Sequence, residues 1–150
     1  MSRRRRVITA ITISLLLLAV PVLGCGTKKQ SDSGAGSISR NDVEKVELID
    51  FHPRIRCVSC MNVEENAREL VKQEFADKVK EGKLRFESLR SDDPANKAIL
   101  EELDTGGSSL FLVITADGKR THRAIPEAWL YWNKKEQCKE VIRNELSRYL

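Results

Sequence analysis

The chain is 150 residues long, 41% hydrophobic and 32% charged, with 26 Lys and Arg against 22 Asp and Glu. Four of the basic residues (Arg3 to Arg6) and no acidic one fall in residues 1–24, which leaves 22 against 22 over the rest. The net charge of +4 is therefore a property of the N-terminus. With no basic stripe interleaved with aromatics elsewhere, nucleic-acid binding has no support.

Arg3-Arg4-Arg5-Arg6 is followed by an uncharged apolar stretch over residues 7–23. A basic start, an apolar run and small residues at its end are the parts of a secretory signal. The run is shorter than the roughly 20 residues that span a bilayer, and Pro21 interrupts it. Val22-Leu23-Gly24-Cys25 resembles the lipobox of bacterial lipoproteins, in which a small residue precedes a cysteine that is lipidated and becomes the mature N-terminus. On that reading residues 1–24 are a lipoprotein signal peptide, and acyl chains on Cys25 hold the protein to a lipid membrane. The alternative is a plain transmembrane anchor with Cys25 as a bystander. Both place the domain outside the cytoplasm, in the periplasm or on the cell surface. Residues 25–41 have almost nothing apolar to bury and read as the lipidated cysteine and a flexible linker. Residues 42–150 then make one domain of ordinary size, with no internal repeat.

Within that domain, Val-Glu-Leu-Ile-Asp-Phe over residues 46–51 reads as a buried strand ended by His52-Pro53. Val63, Ala67, Leu70, Val71, Phe75 and Val79 recur at helical spacing, which predicts a helix over residues 58–81 with Gly82 as its stop. Residues 84–89 read as a second strand. Asp92-Asp93-Pro94 supplies a cap and a first-turn proline for a short helix through Leu103. Thr105-Gly106-Gly107-Ser108 breaks the chain before the continuous apolar strand of residues 110–114. Asp117-Gly118 is a hairpin turn leading to a strand over residues 120–124. A helical piece follows Pro126, and Asn133 with Glu136 forms a capping-box pattern at the start of the last helix. The plan is α/β with a mixed sheet, and chemistry in such folds gathers at the carboxyl ends of the strands.

Cys57 and Cys60, in Arg56-Cys57-Val58-Ser59-Cys60-Met61, fall at that end, where the first strand hands over to the first helix. Cysteines three apart on a first helical turn can meet the geometry of a disulfide. The helix N-terminus favours thiolate at Cys57, and Arg54 and Arg56 are expected to add positive charge nearby. Cys57 is then the attacking sulfur and Cys60 the resolving one. Two other readings stand beside this redox pair. One is an inert structural disulfide, whose short loop brings little stabilisation. The other is capture of a soft metal or As(III), with His52 as a third ligand; a single Cys-x-x-Cys is half a zinc site, and no second half is present. Cys138 shares an apolar helix face with Val141, Ile142, Leu146 and Tyr149 and reads as a small core hydrophobe. His122 carries no signal, and Trp129, Tyr131 and Trp132 read as core packing over the sheet, with a partner-facing surface as the alternative.

Residues 51–64, with Phe51-His52, Arg56-Cys57-Val58-Ser59-Cys60 and Glu64, resemble a thioredoxin-like family of the ArsF type, whose members are also named nitrophenyl compound nitroreductase subunits. The likeness extends weakly over residues 44–150. It implies a thioredoxin-like three-layer domain with a mixed four-stranded sheet. It also implies that Cys57 and Cys60 form a redox-active disulfide, with Arg56 and His52 as auxiliary neighbours. The implied activity is that of a membrane-anchored thiol–disulfide oxidoreductase, working beside a membrane thiol–disulfide transporter of the cytochrome c biogenesis type. No flavin or nicotinamide motif is present, so nitro reduction would need electrons relayed through the cysteines. Ordinary thioredoxins carry a cis-proline opposite the Cys-x-x-Cys; the corresponding stretch here, Gly106-Gly107-Ser108-Ser109-Leu110, has none. That departure argues against general protein-disulfide reduction and raises the metal alternative.

Overall fold

Ten residues, Val43–His52, form strand β1, an inner strand of the sheet in the computed structural model, which describes residues 38–150. The expected signal peptide, Cys25 and nearly all of the linker lie outside the described residues. The strand is longer than the apolar run alone predicted because Val43 pairs with Ala116 across a register shift before Lys45. Helix α1 (Val58–Glu74) follows, then α2 (Ala76–Lys80), strand β2 (Leu84–Arg90), and α3 (Lys97–Glu102). Strands β3 (Ser109–Ala116) and β4 (Lys119–Ala124) come next, then α4 (Glu127–Leu130) and α5 (Lys135–Leu146). The sheet order is β2-β1-β3-β4, with β1 and β2 parallel and the other two pairs antiparallel. The chain is thus α/β with a four-stranded mixed open sheet.

Side chains alternate across a strand, and β1 and β3 are covered on both faces. Val46, Leu48, Leu110, Leu112 and Ile114 face a core completed by Val63, Ala67 and Leu70 of α1 and by Cys138, Ile142 and Leu146 of α5. Ile49, Phe51, Phe111 and Val113 face a smaller core completed by Leu100 and Leu103. Each fully buried leucine or isoleucine contributes about 1.5–3 kcal/mol, so the α1–α5 face carries most of the stability. Bidentate Arg143–Glu74 bonds of 2.6 Å and a Lys139–Glu69 pair at 2.8 Å further fix α5 against α1.

Local chemistry places most of the junctions. Lys83 N–H bonds Lys78 C=O at 2.9 Å and Gly82 N–H bonds Val79 C=O at 3.0 Å, with Gly82 at φ 73°, which is a Schellman stop. Asp93 accepts from Ala95 N–H at 3.0 Å and caps the turn that leads into α3. Asp117 and Gly118 both take positive φ, 50° and 68°, as a two-residue hairpin turn of the I′ type requires.

Two expectations fail. The helix predicted over residues 58–81 is interrupted at Phe75 (φ −118°, ψ 17°), where the half-buried ring packs on the core and the chain turns into α2. Val79, counted in the helical stripe, is 44% exposed. The Asn133–Glu136 capping box does not form. A Lys134 N–H to Tyr131 C=O bond of 2.8 Å keeps Asn133 in a turn, Lys134 becomes the cap, and no side chain bonds there.

Candidate active site

Cys57 is the N-cap of α1, in extended conformation at φ −83°, ψ 162°. The next three residues make the first helical turn, so Cys60 lies one turn on and faces inward. Cys57 is exposed and Cys60 is 4% exposed, which separates an accessible sulfur from a sheltered one. Both thiols are free, with their sulfurs 2.8 Å apart. Ser59 Oγ lies 3.0 Å from Cys57 Sγ. Cys60 Sγ also lies within 3.3 Å of Ser108 Oγ, from the loop before β3. Ser108, in the Gly106-to-Leu110 stretch, thus brings a hydroxyl to the Cys60 sulfur.

The Cys57 thiol titrates at about 7, well below its ordinary 9.0. The largest cause is hydrogen bonding from the Cys60 thiol, followed by the Ser59 hydroxyl and the Cys60 backbone N–H. These donors favour the thiolate form of Cys57 over that of an ordinary cysteine. The backbone N–H donors expected at the helix start are among these causes, whereas neither arginine is. Arg54 is exposed, and the Arg56 guanidinium turns inward, pairing with Glu64 and lying 3.7 Å from Asp50. Neutral donors, rather than the arginines, lead in stabilising the sulfur.

Asp50 is the group that the sequence reading missed. It sits on β1, on the same face as Val46 and Leu48, and is 1% exposed. Ser88, its register partner on β2, donates to it at 3.4 Å. Burial first, and then the neighbouring Glu64, push its carboxyl up to about 7, against the pull of Arg56. Glu64 is itself held below the usual carboxylate range: burial opposes this, but bonds from Arg68 and Arg56 prevail. The run of residues 46–51 holds two acids, Glu47 and Asp50, and period-two alternation puts Asp50 on the face of Val46 and Leu48, which was the signal for it.

His52 ends β1, and its Nδ1 donates to the Pro53 carbonyl at 3.0 Å, leaving Nε2 as the acceptor nitrogen. Among the described residues no three His, Cys, Asp or Glu side chains converge to hold a metal ion. His52 thus does not complete a three-donor set with the two sulfurs. Cys138 is fully buried on α5, and burial pushes its thiol up, against a smaller pull from Asn66. Trp129 and Tyr131 pack partly on the core, whereas Trp132 is 36% exposed.

Ile55, Val58 and Met61, all exposed, flank the cysteines. A cleft of about 250 Å³ opens beside Ser108, lined also by Ser109, Leu110, Ala124, Pro126 and Trp129. A larger cleft of about 590 Å³, between Ser91 and Gly106, includes neither cysteine. No helix among the described residues is long and apolar enough to cross a membrane. No family model matches the chain, and neither a curated protein nor a solved structure matches it.

Proposed function

We propose that this protein is a lipid-anchored, extracytoplasmic thiol–disulfide oxidoreductase with a thioredoxin-like domain. The observation that carries the reading is the Cys57–Cys60 pair itself: an exposed, acidified sulfur at a helix N-terminus with a sheltered sulfur 2.8 Å away. Helices on both faces of a four-stranded mixed sheet support the fold assignment.

The chemistry balances as a two-electron exchange. The Cys57 thiolate attacks one sulfur of a partner disulfide, and the partner's other sulfur leaves as thiolate and takes up a proton. Cys60 then loses its proton and attacks Cys57 Sγ, releasing the partner's second thiolate. The partner disulfide is reduced to a dithiol while Cys57 and Cys60 are oxidised to a disulfide. A membrane transporter of the cytochrome c biogenesis type would return the chain to its reduced form. The lack of a proline in Gly106-Gly107-Ser108-Ser109-Leu110 favours a dedicated partner over broad reduction of proteins. Capture of a soft metal or As(III) by the same two sulfurs is the competing use of the pair.

The test is trapping in cells. Cys60→Ser removes the resolving sulfur, so Cys57 should accumulate in a mixed disulfide with its partner, and Cys57→Ser should abolish that adduct. If Cys60→Ser yields no adduct while the wild-type chain binds arsenite or copper(I) tightly, the binding role replaces the redox one.

A further inference from the structure

Arg56 directly precedes the attacking sulfur, where a guanidinium would stabilise a thiolate. Its side chain is instead only 22% exposed and folded back under α1. It forms an ion pair with Glu64 Oε2, and the other Glu64 oxygen is taken by Arg68, whose guanidinium lies 5.1 Å over the Phe86 ring. Asp50 Oδ2 lies 3.7 Å from the same Arg56 nitrogen, while Asp50 Oδ1 is buried with no partner. Glu64 occupies the position one turn after Cys60 on the inward face of α1, so the cage lies one turn below the dithiol. Asp50 is thus faced by Arg56 from the loop, Glu64 and Arg68 from α1, and Ser88 from β2. Cys57 is faced by Cys60 and Ser59.

We propose that Asp50 and Glu64 are positioning residues that hold the Arg56 guanidinium away from the Cys57 sulfur, keeping the dithiol more reducing than its Arg-Cys-x-x-Cys sequence implies. The inference rests on the dithiol reading above and says how that dithiol is tuned. A cation beside Cys57 would stabilise the reduced thiolate and make the couple more oxidising. Turned inward, Arg56 neutralises buried carboxylate charge instead, and the thiolate depends on neutral donors.

The experiment follows the pH profile of Cys57 alkylation in the full chain, read by mass spectrometry of the Cys57 peptide so that other cysteines do not interfere. D50N/E64Q removes the cage; Arg56 should swing out, and the apparent Cys57 pKa should fall on the order of one unit. Adding R56Q should abolish that fall. No fall in the double variant overturns the proposal. So does a fall that persists in the triple variant, because lost negative charge would then explain it. A second measurement leaves the cage intact and stands if the double variant fails to fold. In an Arg54→Gln chain, which lacks the exposed arginine three residues before Cys57, raising salt from ~0.05 M to ~1 M should move the Cys57 pKa by less than about 0.3 unit. A larger rise places Arg56 at the sulfur and contradicts the cage. Alkylation of Cys57 is independent of any electron partner, so this test and the trapping test fail separately.

Discussion

Strand β1 buries two acids three residues apart on opposite faces, and their fates differ. Glu47, 6% exposed on the face toward α3, has a cation on each oxygen: Lys45 at 2.9 Å and Arg120 at 2.7 Å. Burial works against its charge, yet these partners hold its carboxyl below the usual range. Asp50, 1% exposed on the α1 face, shares its one close arginine with Glu64 and is pushed up to about 7. Burial is common to both; the number and placement of partners decides which acid is a fixed ion pair and which exchanges a proton near neutrality. The exchanging one lies on the sheet face covered by the helix that carries the dithiol.

The sharpest way to break this comparison is stability against pH. Asp50 titrates near 7 when folded against an ordinary 3.8, so between those values the folded chain holds a proton that the unfolded chain has released. Stability therefore falls as pH rises through that window, by at most roughly 4–5 kcal/mol over its full width. Denaturant melts from pH 5 to pH 8 should show this slope in the wild type and lose most of it in Asp50→Asn. An unchanged slope in that variant would remove Asp50 as the exchanging group.

Glu47 should behave in the opposite sense. Its stabilisation is present above the ordinary carboxylate value of 4.5 and is lost as pH falls through its lowered folded value. Glu47→Gln should cost about 1–2 kcal/mol at pH 7, since its cations are partly exposed and screened, and the cost should shrink in acid. A Glu47→Gln chain that is as stable as wild type at pH 7 would dissolve the contrast between the faces.

A smaller effect concerns the sulfur. Ser59→Ala removes one neutral donor from Cys57, and its apparent pKa should rise by about half a unit, seen as slower alkylation at pH 6. Equal rates in the two chains would mean that Ser59 does not hold the thiolate.

What the sequence showed and what it concealed follow the range of the interactions. The Gly82 stop, the Asp93 cap and the Asp117-Gly118 turn were legible because each rests on a residue's own backbone preferences and neighbours a few positions away. The break at Phe75 was not, because Val71, Phe75 and Val79 keep helical spacing while only the folded core shows that Val79 stays exposed. At the site, Cys57 and Cys60 were legible from spacing alone. The inward turn of Arg56 was not, since it depends on an acid from β1 and another from the second turn of α1. Ser108, which meets Cys60 from 48 residues away, had no local signal either.

Under the proposed function, Cys57 and Cys60 act together as one reversible couple. Equilibrating the chain with graded ratios of reduced and oxidised glutathione, then quenching with acid and counting free thiols on the Cys57–Cys60 peptide, tests it directly. A single two-electron transition is expected, in which both thiols disappear together and which Cys60→Ser converts into a one-for-one glutathione adduct at Cys57. A chain whose two thiols stay free across the whole range, or oxidise independently of one another, would contradict it.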